Sequence, residues 1–88
     1  MGYDVRLSDS ARKDLKKIDY HQAKIITAWL RKNLQGCENP RLYGTPLLYG
    51  RKGEWRYCVG VYRLIAEIHD NIVLIEIISV GHRREVYE

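Results

Sequence analysis

Cysteine is scarce in this chain. Cys37 and Cys58 are the only two in 88 residues, with no CxxC and no spacing that reads as a metal site. No metal ligand set and no cofactor motif is expected, and the thiols read as reduced ones in a cytoplasmic protein. Long hydrophobic runs are missing as well. No apolar stretch approaches the roughly 18 residues that a membrane span needs. Met1-Gly2-Tyr3-Asp4 does not open a secretory signal, and the residues after Gly2 lack the Ser or Thr of a myristoylation signal. A membrane is therefore not an expected partner. Internal repeats and low-complexity tracts are absent too, so residues 1–88 read as one domain with a real but small core.

What is present is apolar and charged in balance. The 45% hydrophobic and 30% charged content argues against disorder. A net charge of +4 suits an anionic partner such as RNA, DNA or an acidic protein, and equally suits plain solubility. The placement of the arginines has to decide between them. The stretch that organises the rest is Asn71 to Tyr87. Ile72 to Val80 is almost unbroken aliphatic sequence, suited to a buried strand, and Gly81 ends it. His82, Arg83, Arg84 and Tyr87 follow directly.

Upstream, Tyr3, Val5 and Leu7 alternate with polar residues as in a half-buried strand. Ser8-Asp9-Ser10 supplies capping side chains for a short helix with Ala11, Leu15 and Ile18 on its apolar stripe. Arg12, Lys13, Lys16 and Lys17 form its wet face. A second helix is expected from about Tyr20 to Leu34, with Ile26, Trp29, Leu30 and Leu34 buried and Gly36 ending it. Residues 36–53 hold breakers at Pro40, Gly44, Pro46 and Gly50, and read as an ordered loop with room for a short strand. From Glu54 the pattern is β. The resulting order, β-α-α-β-β-β, predicts an α+β fold whose mainly antiparallel, twisted sheet carries both helices on one face.

A two-residue turn at Gly60-Val61 would pair Val59 with Tyr62, Cys58 with Arg63, and Arg56 with Ile65. Residues directly opposite share a face, so Trp55, Tyr57, Val59, Tyr62, Leu64 and Ala66 would meet the helices. Arg56, Cys58 and Arg63 would then face away from them. A turn at Asp70-Asn71 would add Glu76 beside Ile65 and Ile78 beside Arg63. In that last strand Ile72, Leu74, Ile78 and Val80 would oppose Val73, Ile75 and Ile77, leaving an apolar patch on the arginine side that a partner should cover. Guanidinium forks match phosphate oxygens bidentately and stay charged at physiological pH. With His82 and Tyr87 nearby, this face offers cations for a phosphate, a candidate acid and an aromatic ring for stacking on a base. Metal-free RNA cleavage requires a base to activate a 2′-hydroxyl, cations to stabilise the crowded phosphate and an acid for the leaving 5′-oxygen, and candidates for each are present.

Trp55 to Leu64 (W-R-Y-C-V-G-V-Y-R-L) and Ile78 to Tyr87 (I-S-V-G-H-R-R-E-V-Y) resemble the two signature stretches of the RelE/ParE toxin superfamily, on the RelE side. The opening strand, the Ala11–Ile18 helix and Pro40-Arg41-Leu42 fit as well. The resemblance implies a toxin of a type II toxin–antitoxin pair that cleaves mRNA in the ribosomal A site and so inhibits translation. It implies a cognate antitoxin wrapping the groove, and contact with operator DNA only through the antitoxin complex. By position it assigns Arg56 to orienting RNA and the 2′-hydroxyl, Arg63 to the scissile phosphate, and Arg83 to the phosphate or the leaving group. Tyr87 matches the tyrosine that stacks on a base, and His82 shares the acid–base position; Arg84, outside that assignment, reads as a solvated charge or a ribosomal RNA contact.

Cys58 departs from the pattern, because many relatives carry a second lysine or arginine there. A thiol serves as a base near neutral pH only when its pKa is lowered. Glu76 is the alternative base, or else the salt-bridge partner of Arg56. Two rival readings follow: a ParE-like gyrase poison that cleaves nothing, and an attenuated toxin retained for antitoxin binding and operon repression.

Overall fold

The computed structural model describes residues 2–47 and 53–82. Strand β1 (Asp4–Leu7) leads into helix α1 (Asp9–Lys17) and helix α2 (Tyr20–Trp29). Strands β2 (Gly44–Pro46), β3 (Glu54–Val59), β4 (Tyr62–His69) and β5 (Leu74–His82) complete one five-stranded sheet in the order β1-β5-β4-β3-β2. Every pairing is antiparallel except β1 with β5, which is parallel. The α+β fold with its helices on one face is therefore present, with one strand more than the pattern predicted.

Local chemistry sets the helix ends. The Ser8 hydroxyl accepts the Ala11 N–H at 3.0 Å to start α1, and an Asp19 carboxylate oxygen accepts the Gln22 N–H at 3.3 Å to start α2. The second helix stops being regular earlier than its apolar stripe suggested. After Trp29 it continues as one wide π-helical turn, Leu30–Leu34, which still buries Leu30 and Leu34. Ala11, Ile26, Leu30 and Leu34 meet Tyr57, Val59, Leu64, Ala66, Ile75, Ile77 and Val80 in the core. Tyr57 is fully buried and donates its hydroxyl proton to the Pro40 carbonyl at 2.7 Å, with burial pushing its pKa well up.

The short strand β2 lies in the region read as a loop. It pairs Gly44 with Tyr57, Thr45 with Arg56 and Pro46 with Trp55. A Cβ on Gly44 would collide with the Arg56 carbonyl, so this close pairing needs a glycine. The β3–β4 hairpin has the expected register throughout, with Gly60 at φ 60° in its turn.

The β4–β5 register differs from expectation in two ways. Asp70–Ile72 forms a 3-10 turn and Val73 takes a left-handed conformation at φ 53°, so β5 begins at Leu74 and pairs it with His69. A bulge then makes Ile78 an extra residue, because Ala66 opposes Ile77 while Ile65 opposes Ser79. Helix α1 and the residue that caps it accommodate that bulge. The Ser8 N–H donates to the Ile77 carbonyl (2.9 Å), the Ser8 hydroxyl donates to the Ile78 carbonyl (2.8 Å), and the Val80 N–H donates to an Asp14 carboxylate oxygen (2.9 Å).

The bulge inverts the alternation of the strand's end. Val80 opposes Leu64 and turns into the core, against the expectation that it lines the outer face with Ile72 and Leu74. Ile72 belongs to the 3-10 turn, and Val73 to neither face of the strand. The apolar patch on the outer face shrinks accordingly to Leu74, Ile78 and the half-buried Ile65 of β4.

Candidate functional site on the helix-free face

Arg56 and Arg63 both project from the face that the helices leave uncovered. Cys58 stands directly opposite Arg63, and Arg56 directly opposite Ile65. The two arginines are therefore diagonal neighbours on adjacent strands, a relationship that separates Cα atoms by roughly 7–8 Å. Both are half-buried, whereas Cys58 is exposed. Half-burial strengthens the field of each guanidinium at this surface, because fewer waters screen it.

Thr45 completes this corner, and the sequence reading missed it. Strand β2 sets Thr45 opposite Arg56, and an Arg56 Nη2–H donates to the Thr45 hydroxyl at 3.0 Å. The signal that would have revealed it is the alternation of Tyr43, Thr45 and Leu47 about Gly44 and Pro46, which those breaker residues obscured.

The other candidates separate. His82 opposes Tyr62 on the helix side of the sheet, its ring edge-on to the tyrosine with centroids 5.8 Å apart. It lines a cleft with Asp14, Lys17 and Ile18, so the expected gathering of His82 with the arginines is not what the fold produces. The Ile78 bulge is the reason, since it turns the strand's last residues over. Glu76 keeps to the helix-free face but opposes Glu67, not Ile65; Ser79 takes the place beside Ile65. Glu76 is thus one row removed from Arg56. Arg83, Arg84 and Tyr87 lie outside the described residues.

A second polar cluster pins the edge of the fold. Arg41 donates to both carboxylate oxygens of Asp70, at 3.1 and 2.8 Å, and the Tyr3 hydroxyl donates to one of them at 2.6 Å. These hydrogen bonds, that from Arg41 foremost, hold the Asp70 pKa down to about 2. Arg41 also lies over the Trp55 ring, 5.8 Å from its centroid. The cluster ties β1, the turn before β2 and the β4–β5 turn together. No helix among the described residues is long and apolar enough to cross a membrane.

Comparison with known proteins gives consistent results. Residues 5–87 match the family model described as the ParE toxin of type II toxin–antitoxin systems. Toxin RelG of Mycobacterium tuberculosis is 30% identical over 87 residues, covering 99% of this chain and 98% of that protein. The toxin–antitoxin complex RelBE2 of the same organism contains a chain with a TM-score of 0.81 and 29% identity, covering 97% of this chain and 95% of that one. The isolated Escherichia coli RelE toxin shares the fold at a TM-score of 0.72 and 24% identity, with coverage of 92% and 84%.

Proposed function

This chain belongs to the RelE/ParE superfamily of type II toxin–antitoxin toxins, and on that premise we propose that it is a ribosome-dependent endoribonuclease cutting mRNA in the A site. The observation that supports this most is the pair of half-buried guanidiniums, Arg56 and Arg63, set diagonally on the helix-free face. A phosphodiester lying across β3 and β4 meets two cations whose donors fit its non-bridging oxygens.

In this mechanism the 2′-hydroxyl attacks the adjacent phosphorus, a cyclic phosphate forms, and the 5′-oxygen leaves with a proton. Arg63 stabilises the charge that builds on the crowded phosphate. Arg56, held by Thr45, orients the ribose so that the 2′-oxygen is in line. Arg83 serves the phosphate or the leaving group and Tyr87 stacks on a base, two roles that rest on the family resemblance, while Arg84 is a ribosomal RNA contact. Cys58, beside Arg63, occupies the place where relatives carry another cation, which predicts a slower enzyme. His82 is assigned no step on this face. A cognate antitoxin is the partner that covers the face and silences the toxin, and operator DNA is reached only through that complex.

The family model's ParE description favours one second reading, a gyrase inhibitor without nuclease activity. Primer extension on a translated mRNA separates the two. Cuts within A-site codons, present with ribosomes and lost in Arg63→Ala, support the nuclease. A folded wild type that makes no cuts but blocks DNA supercoiling by gyrase replaces it.

A further inference from the structure

At the other end of the same face, β4 and β5 bring together donors that the steps assigned above to Arg56 and Arg63 leave unused. Glu67 opposes Glu76 across the two strands, and His69 lies two residues beyond Glu67, so its side chain shares that face. The His69 Nε2 atom is 3.8 Å from Glu67 Oε1 and 3.7 Å from Glu76 Oε1, and one ligand atom from each residue lies within 4.8 Å of the others. Ligands about 2.1 Å from a tetrahedral zinc ion stand roughly 3.4 Å apart. Each imidazole-to-carboxylate separation is therefore within a few tenths of an ångström of a ligand-to-ligand edge.

The surroundings add a second argument. Like charges set directly opposite on paired strands destabilise the pairing. The row runs Arg6, Glu76, Glu67 from β1 to β4, so two carboxylates face each other across β4 and β5 in a chain of net charge +4. A cation between Glu67 and Glu76, whether a bound ion or a protonated His69, relieves that repulsion. All three side chains are about one-third exposed, leaving water access to the remaining coordination positions.

We propose that Glu67, His69 and Glu76 form a binding site for a first-row divalent metal ion, with zinc the best fit among ions available to nitrogen and oxygen donors. One imidazole with two carboxylates suits zinc better than magnesium or calcium, which favour all-oxygen shells. The ion takes no part in RNA cleavage. It cross-links β4 to β5 and neutralises the facing carboxylates, stiffening the sheet beneath the arginines. The proposal stands on these three residues and is independent of the nuclease reading.

Calorimetric titration of the full-length toxin with zinc chloride tests it, alongside His69→Ala, Glu67→Gln and Glu76→Gln. One ion per chain is expected, with affinity falling at least about ten-fold in each variant. Zinc should raise the melting temperature of the wild type and leave that of His69→Ala unchanged. Circular dichroism checks that each variant is folded, and the near-isosteric Glu76→Gln keeps the test open if His69→Ala is not. A wild type that takes up no zinc below about 1 mM overturns the proposal. So does binding that survives in His69→Ala and Glu76→Gln, which would assign the ion to Cys37, Cys58 or another histidine.

Discussion

The Val80 backbone N–H donates to the Asp14 carboxylate across 66 residues of sequence. Through it α1 holds the strand in its bulged register, and that register decides which face each C-terminal residue meets. Replacing Asp14 with alanine strands the Val80 N–H and should cost about 1–3 kcal/mol. Asp14→Asn keeps an acceptor and should recover most of the loss. Urea denaturation of both variants measures the difference.

Thr45 is expected to matter for rate more than for stability. Thr45→Val removes the acceptor from Arg56 while keeping the shape of the strand. If Arg56 orients the ribose, cleavage by Thr45→Val should fall about ten-fold, in line with a hydrogen bond to a charged group. Thr45→Ser should restore it. Single-turnover cleavage on programmed ribosomes provides the readout; equal rates for all three proteins would remove Thr45 from the orienting role.

Asp70 predicts an acid-sensitive edge. Its pKa in the folded chain is lowered to about 2 from an ordinary 3.8. A depressed carboxyl stabilises the fold above its unfolded value and loses that contribution as pH falls through the folded one. Asp70→Asn should therefore be less stable than wild type at pH 5, and the gap should narrow as pH falls from about 4 toward 2. The cluster is exposed, so added salt should shrink the gap as well. Urea midpoints across that range check both dependences.

Val73 holds a left-handed conformation that a β-branched residue adopts only under strain. Val73→Gly should relieve part of it, and the net gain should be about 0.5–1 kcal/mol after the entropy of the added glycine is subtracted. A rise in melting temperature without any change in cleavage is the expected outcome.

Much of this fold was legible because it rests on short-range patterns. The alternation in β3 and β4 with Gly60 between them specified their register, and so the shared face of Arg56 and Arg63. Ser8 announced the first helix start, whereas Asp19, which caps the second, went unread. The β4–β5 register was not legible, because an apolar run such as Ile72 to Val80 reads alike in any alignment and hides a bulge. One clue was available. Asp14 falls between Ala11, Leu15 and Ile18 on the apolar stripe of α1, where a carboxylate requires a partner. That partner proved to be the bulged strand, which explains why His82 turns away from the arginines; the 3-10 turn at Asp70–Ile72 is what sets Glu76 against Glu67. Strand β2 was obscured by its own glycine and proline.

The parallel seam between β1 and β5 joins Asp4 to Leu74, nearly the whole length of the polypeptide apart. Closing a loop that long is slow, and its entropy has to be met before the seam yields anything in return. A nascent chain still emerging from the exit tunnel holds its first strand without a neighbour until the last one arrives. Until residues 74–77 follow, the first strand stays unpaired, so the growing chain's exposure to wrong partners lasts longest at its first-made end.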